Sequence, residues 1–387
     1  MAKKYQKLII FVLIFVIYLW ILRYLPVFSH KCLYKILIST MKIVMDEKIP
    51  YLANALTQMG YNIVAKPGDE ISAADVKDAE ALFVRTRTFC NAQLLEGSAV
   101  RFIGTATIGY DHIDDAYCRS NGIYWTSAPA CNAGGVLQYV QSAIHLWCKK
   151  KGRPLQELTI GVVGVGAIGS RIAAWAQSTG MCVLLNDPPR EAAGETGFVS
   201  LQQIAAESDI ITLHPTLTRD GAFPSYHLAG KEFFDSLQRI PLFINASRGP
   251  VADNKALLSA YKNGKIADIV LDVWEGEPNI NRELLDASFI ATPHIAGYSA
   301  EGKMNATNIV LQKFAEFIEY KGKLPLATLP APSQAVVEAA SEGDAFLEIY
   351  NPMCDTEPLK NNPTAFEELR NNYKFRREPS AYKIDIL

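Results

Sequence analysis

The stretch Thr159-Ile-Gly-Val-Val-Gly164-Val-Gly166-Ala-Ile-Gly169 decides the fold. An apolar run leads straight into three glycines spaced G-x-G-x-x-G, and a helical pattern over 167–179 follows. Gly164 permits the tight turn and Gly166 lets backbone approach a pyrophosphate. Gly169 allows close helix–strand packing, and the helix N-terminus offers free N–H groups to phosphates. The next strand, 182–186, ends at Asp187, eighteen residues after Gly169. A carboxylate there accepts hydrogen bonds from a ribose and repels a 2'-phosphate, so NAD is expected over NADP. Arg190, three residues on, weakens that preference slightly. The plainer reading is an α/β turn that holds no ligand.

Outward from this motif, short apolar runs alternate with helical patterns in both directions. Downstream, strands are expected at 210–213, 242–245, 269–272 and 289–291, closed by a helix over 300–321. Upstream, strands at 43–45, 62–65, 81–84, 100–104 and 123–126 alternate with helices at 50–59, 73–79 and 114–120, and a longer helix spans 134–150. Strand–helix alternation with glycine at helix ends argues for parallel sheets covered on both faces. The expected fold is α/β, two doubly wound parallel-sheet domains of Rossmann or flavodoxin type. A small C-terminal α+β segment follows, in which 324–345 reads as a linker and 364–372 as a helix. The expected division is 41–138 plus 300–325 for a substrate-binding domain, 139–299 for an NAD-binding Rossmann domain, and 326–387 for the C-terminal segment.

The chain has 387 residues, with Lys plus Arg totalling 38 against 40 for Asp plus Glu. A net charge of -2 gives no footprint of nucleic-acid binding. Seven cysteines (32, 90, 118, 131, 148, 182 and 354) form no C-x-x-C pair, which fits reduced thiols better than a disulfide framework or a zinc site. Six scattered histidines show no metal-ligand spacing, and no metal is expected. Residues 1–40 stand apart, because Leu8 to Leu22 are uncharged and almost wholly apolar, between Lys7 and Arg23. The run is short for a bilayer span of about 20 residues, and no small-x-small cleavage site follows it. Met41 opens directly into a strand pattern, so a start at Met41 with upstream leader is expected; a retained membrane anchor is the alternative.

Three further residues fall where strands should end, on the rim where such sheets bind ligands. Arg248 follows the run 242–245, Glu277 follows 269–273 and His294 follows 289–291. An imidazole is an acid/base at neutral pH, and a carboxylate partner fixes its tautomer. A guanidinium grips a substrate carboxylate in a fork and polarises an adjacent carbonyl oxygen. Beside a nicotinamide, the three would make a hydride-transfer site for 2-hydroxy acids. Taken singly, each also fits a duller role: Arg248 a loop cap, Glu277 a helix N-terminal charge, His294 a turn histidine.

The order of these motifs resembles the D-isomer-specific 2-hydroxyacid dehydrogenases from Met41 to about Lys323. The matching stretches are Met41-Lys-Ile-Val-Met-Asp-Glu, Gly104-Thr-Ala-Thr-Ile-Gly-Tyr-Asp-His and Ala128-Pro-Ala-Cys-Asn. Asn186-Asp-Pro-Pro-Arg, Leu271-Asp-Val-Trp-Glu-Gly-Glu-Pro and His294-Ile-Ala-Gly-Tyr-Ser-Ala-Glu-Gly-Lys continue the match. The tail Phe366-Glu-Glu-Leu-Arg-Asn-Asn-Tyr-Lys-Phe-Arg-Arg-Glu is similar to the C-terminal dimerisation segment of one branch of the family.

The resemblance implies catalytic Arg248 and Glu277, with His294 transferring the proton. It implies NAD contacts at Asp187, Asp272 and Gly297, besides the glycines Gly164, Gly166 and Gly169. Thr86, Thr107 and Tyr298 would contact substrate, a small phosphorylated 2-hydroxy acid. Arg85 and Arg87 are candidates for its phosphate by their place beside Thr86. A cytoplasmic homodimer is implied, with no nucleic-acid partner, and with a membrane association only if 1–40 is retained. Another 2-hydroxy acid such as 3-phosphoglycerate, or a non-catalytic NAD-sensing scaffold, are the competing functions. Three departures from the family pattern are Thr86 for the more usual Ser, the order His214-Pro215-Thr216, and the poorly matching region 330–362.

Overall fold

The computed structural model describes residues 41–387; the apolar run Leu8–Leu22 and the alternative readings of 1–40 lie outside the described residues. Among the described residues no helix is long and apolar enough to cross a membrane. The described chain divides into two compact units. One comprises residues up to Ser127 together with Val310–Ala327; the other comprises Ala128–Ile309 and Thr328–Leu387.

The first unit is built on β1 (Lys42–Asp46), β2 (Asn62–Lys66), β3 (Ala81–Val84), β4 (Phe102–Thr105) and β5 (Tyr124–Thr126), in the order β2-β1-β3-β4-β5. All its pairings are parallel. β3 and β4 are buried at every position, which is why they read as continuous apolar runs rather than alternating ones. Val44, Leu82 and Ile103 fill one side of the sheet. On the other, the Phe314 ring meets Phe83 and Phe102 at centroid distances of 5.3 and 5.1 Å, both edge-on.

The second unit carries β6 (Thr159–Val163), β7 (Cys182–Asn186), β8 (Ile210–Leu213), β9 (Leu242–Asn245), β10 (Asp268–Leu271) and β11 (Ile290–Ala291). Their order is β11-β10-β9-β8-β6-β7. The chain leaves β6 toward β7 on one side and returns to β8 on the other. That reversal opens a crevice at the carboxyl end of β6, directly above Gly164.

The C-terminal segment differs from its expectation. Within the supposed linker, β12 (Val336–Ala339) pairs in parallel with β13 (Lys383–Ile386), and a helix follows over Glu342–Ile349. The partner strand lies more than forty residues downstream, so local Pro, Ala and Ser content hides the pairing. A further helix, Met353–Asn361, holds Pro358 in its interior, where proline reads as a breaker. The helix beginning at Ala300 stops at Phe317 rather than 321 and turns off through Glu319, at φ 52.

Three imidazoles that burial keeps neutral add to the acid sensitivity of the fold. Burial pushes His112 and His145 down from 6.5 to about 4, and His214 to about 3. The unfolded chain protonates these groups near their ordinary value, while the folded protein resists. Their stabilisation is therefore complete above about pH 6.5 and is lost as pH falls toward 4, at about 1.4 kcal/mol per unit for each group. The expected melting temperature is flat above about pH 7 and drops steeply below about 6; a flat profile down to acid pH would contradict the assignment.

Candidate active site

The glycine loop is shaped for a pyrophosphate. Gly164 has φ +84, and a Cβ there would lie 2.4 Å from the Pro215 nitrogen and 2.6 Å from the His214 carbonyl carbon. The loop thus leans on the end of β8, and only glycine fits. A Cβ on Gly169 would meet the Gly164 oxygen at 2.1 Å, whereas one on Gly166 meets nothing within 4 Å, so that side of the loop is open. The ten-residue helix Gly169–Ser178 starts at once behind the loop, and its dipole puts partial positive charge at that end.

Asp187 ends β7 and braces the loop, accepting from the Val165 N–H at 2.7 Å and the Arg190 N–H at 3.2 Å. The Arg190 guanidinium is turned to Glu195 and the Val165 carbonyl, so its charge is largely committed. A cavity of about 650 Å³ is lined by Gly164, Gly166, Asp187, Pro215, Thr218 and Leu228, among others. Pro215 therefore does face the cavity despite its unusual neighbours. His214 lines the cavity too, with its Nε2 2.7 Å from Thr212 Oγ1.

Arg248, Glu277 and His294 follow the carboxyl ends of β9, β10 and β11, three neighbouring strands. Asn245 fixes the turn at Arg248, donating Nδ2 to the Arg248 carbonyl at 3.0 Å and accepting from the Ser247 N–H at 3.1 Å. Gly249 follows because a Cβ there would lie 1.9 Å from the Trp274 oxygen. The Arg248 Nη1 donates to the Ser247 carbonyl at 2.8 Å.

Glu277 holds the imidazole. One carboxylate oxygen accepts from the Trp274 N–H at 2.9 Å; the other lies 2.8 Å from His294 Nδ1. Burial alone would raise the Glu277 carboxyl, but the His294 hydrogen bond and charge, the Trp274 N–H and Arg370 together hold it below its ordinary value. It is an anion at neutral pH. His294 itself sits at φ 60, in the left-handed region, with its N–H donating to the Asp272 carbonyl at 2.8 Å. That backbone costs of order 1 kcal/mol and is held by its surroundings.

Asp272 supplies much of that hold. It is 1% exposed and accepts from Thr292 Oγ1 and the Ile295 N–H at 2.7 Å each, and from the Ala296 N–H at 2.9 Å. Burial raises its carboxyl above the ordinary value against these bonds and the His294 charge. Gly297 packs against Asn132, whose Nδ2 would lie 2.1 Å from a Cβ there.

Sequence reasoning missed the contribution of the C-terminal segment. Arg376 is 9% exposed, and its guanidinium donates to the carbonyls of Gly135 at 3.0 Å, Ile295 at 3.1 Å and Tyr298 at 3.4 Å, and to that of Ala296. Its Nε donates to Gln138 Oε1 at 3.0 Å. The loop carrying His294 is thus clasped from behind. The tail motif held the signal in Arg370, Arg376 and Arg377, a close set of guanidinium groups in an otherwise plain polar run. Arg370 donates to the Tyr298 hydroxyl at 3.3 Å.

Thr86 and Thr107 belong to the other unit, just beyond the ends of β3 and β4. Thr86 is exposed. The Thr107 hydroxyl donates to the Gly109 carbonyl at 2.8 Å and meets Thr105 Oγ1 at 2.7 Å. Arg85 donates to the fully buried Asp46 at 2.9 Å, which makes it a support of β1 rather than a free cation. No group of three or more His, Cys, Asp or Glu side chains among the described residues has the arrangement of a metal site.

Residues 137–296 match the family model described as D-isomer specific 2-hydroxyacid dehydrogenase, NAD binding domain. Erythronate-4-phosphate dehydrogenase of Bacteroides thetaiotaomicron is 50% identical over 345 residues, covering 89% of this chain and 99% of its own. The Escherichia coli O81 enzyme of the same name is 41% identical over 355 residues, with 89% and 94% covered. Among solved structures, D-lactate dehydrogenase from Aquifex aeolicus, complexed with NAD and lactic acid, superposes with a TM-score of 0.59 at 26% identity, over 74% of this chain and 100% of that one. The NAD+-bound 3-phosphoglycerate dehydrogenase of Entamoeba histolytica shares the fold, with a TM-score of 0.61 at 24% identity over 75% and 99%.

Proposed function

Because the chain belongs to the erythronate-4-phosphate dehydrogenases, within the D-isomer-specific 2-hydroxyacid dehydrogenases, we propose that it oxidises 4-phospho-D-erythronate to 2-oxo-3-hydroxy-4-phosphobutanoate in vitamin B6 biosynthesis. NAD is the cofactor, and its chemistry is to accept the hydride from C2. The open face at Gly166, the helix start at Gly169 and the carboxylate of Asp187 beside the cavity suit its pyrophosphate and ribose. Asp272 and Gly297 are assigned to its nicotinamide end.

The observation that carries the mechanism is the 2.8 Å contact between His294 Nδ1 and Glu277. With Nδ1–H donating to that carboxylate, Nε2 is the basic nitrogen and takes the proton of the substrate's C2 hydroxyl as the carbonyl forms. Negative charge then never accumulates on the oxygen, and Glu277 stabilises the resulting imidazolium. Arg248 binds the C1 carboxylate and the C2 oxygen in a fork. Tyr298, Thr86 and Thr107 are assigned as substrate contacts.

The test is NADH formation from 4-phospho-D-erythronate, from unphosphorylated D-erythronate and from 3-phosphoglycerate. A preference of roughly 100-fold or more in kcat/KM for the first is expected, since D-erythronate lacks the phosphate charge and 3-phosphoglycerate carries it one carbon nearer to C2. Preference for 3-phosphoglycerate would keep the mechanism and discard the substrate. NAD binding with no turnover of any hydroxy acid would leave a sensing scaffold.

Two further expectations attach to this reading. Asp187→Ser should raise the NAD KM by about tenfold and narrow the gap to NADP, because a carboxylate facing the ribose is lost; steady-state kinetics with both cofactors measures it. The protein is a cytoplasmic homodimer joined through residues 326–387, so light scattering should give twice the chain mass; a monomer at micromolar concentration would refute the dimer.

A further inference from the structure

The proposed substrate has an anion at each end, and Arg248 is assigned to only one. Of the arginines flanking Thr86, Arg85 is tied to buried Asp46. The second unit holds another cation beside the acid/base pair. Arg370, from the helix Phe366–Asn371, places Nη1 3.9 Å from the Glu277 oxygen that binds His294. Its Nε donates to the Tyr298 hydroxyl at 3.3 Å, and its side chain is only 22% exposed. Lys303 adds a second positive charge, with Nζ 3.9 Å from the centre of the Tyr298 ring.

Two cations thus converge on one tyrosine next to the reacting histidine. The Glu277 contact is a long ion pair with no hydrogen bond, and Glu277 is already engaged by His294 and Trp274. Glu367, on the same helix, is the other carboxylate that acts on Arg370. Tyr298, Glu277 and Glu367 hold the Arg370 charge against its burial, so a dianion arriving there meets a guanidinium already fixed in place. The hydroxyl of Tyr298, polarised by Arg370, adds a neutral donor to the same spot. With single bonds of about 1.5 Å, the phosphorus of a 4-phosphorylated acid lies about 5 Å from C2. Arg370 is linked to His294 through one shared Glu277 oxygen, 3.9 Å from its Nη1 and 2.8 Å from His294 Nδ1.

We propose that Arg370, with the Tyr298 hydroxyl and Lys303, binds the substrate's phosphate and so sets the preference for a phosphorylated acid. The inference rests on the function proposed above. It adds a specificity residue from a segment beyond the 137–296 that match the family model.

The experiment compares wild type, Arg370→Met and Arg370→Lys on 4-phospho-D-erythronate and on unphosphorylated D-erythronate. Intrinsic fluorescence titration with NAD verifies that each variant is folded. Arg370→Met is expected to lose about 10²-fold in kcat/KM on the phosphorylated substrate, mostly through KM, and far less on the unphosphorylated one. Arg370→Lys should recover part of the loss, and inorganic phosphate should inhibit the wild type competitively but Arg370→Met only weakly. Equal losses on both substrates, with the pH–rate profile displaced, would show that Arg370 acts through Glu277 and would overturn the proposal. So would an unchanged substrate preference. If the wild type itself fails to turn over the phosphorylated acid, the function proposed above falls, and the two failures are thereby distinguished.

Discussion

His294→Asn lowers kcat by about 10³- to 10⁴-fold and leaves NAD affinity within about twofold. Asparagine is the replacement of choice because His294 has φ 60, a conformation asparagine tolerates and alanine resists. The backbone bond from its N–H to the Asp272 carbonyl, and the Arg376 clasp behind the loop, then survive. What disappears is the proton acceptor. Without it, the C2 oxygen must release its proton to water while the hydride departs, at a cost of about 4–5 kcal/mol in the barrier. The loss should appear wholly in turnover, since a carboxamide cannot take up a proton at neutral pH yet fills part of the space the imidazole held. Turnover within about tenfold of wild type would remove His294 from the mechanism.

Gly164→Ala should be nearly as severe for a different reason. The added Cβ must sit at φ +84 and 2.4 Å from the Pro215 nitrogen, which is backbone and cannot rotate away. The end of β6 must part from the end of β8, and the crevice where the pyrophosphate would lie loses its shape. NAD affinity is expected to fall roughly 100-fold or more, with a melting temperature several degrees lower. Gly166→Ala makes the informative contrast. Nothing lies within 4 Å of its added methyl, so the apoprotein should melt as the wild type does while NAD binding weakens. Equal melting temperatures for wild type and Gly164→Ala would contradict the packing described for the loop.

The fold was legible wherever the signal was local. The strands at 81–84, 159–163, 182–186, 210–213 and 242–245 are apolar runs bounded by turns, and the structure has the same limits for each. All but 182–186 are buried at nearly every position, and parallel strands covered on both faces read as continuous apolar runs. The contact of His294 with Glu277 was approachable because both follow strand ends in a sheet whose rim binds ligands. What escaped notice depends on long sequence separation. β12 is stabilised by β13, and Arg376 by carbonyls more than 75 positions earlier; neither leaves a periodicity in its own neighbourhood. The ion pair between Arg85 and Asp46 was hidden for the same reason, since the two lie 39 positions apart.

The Arg376 clasp also times the birth of activity during synthesis. Its partner Gln138 is 238 positions earlier, and the carbonyls of residues 295–298 precede it by about eighty. A ribosome at roughly 5–20 residues per second reaches Arg376 several seconds after His294 has been added. Through that interval the dinucleotide crevice can form from residues already made, while the reacting loop lacks its rear support. A nascent chain arrested before residue 376 should therefore retain NAD and yet oxidise nothing, and a protease that trims the chain back past Arg376 would silence a finished molecule without dismantling its two large sheets.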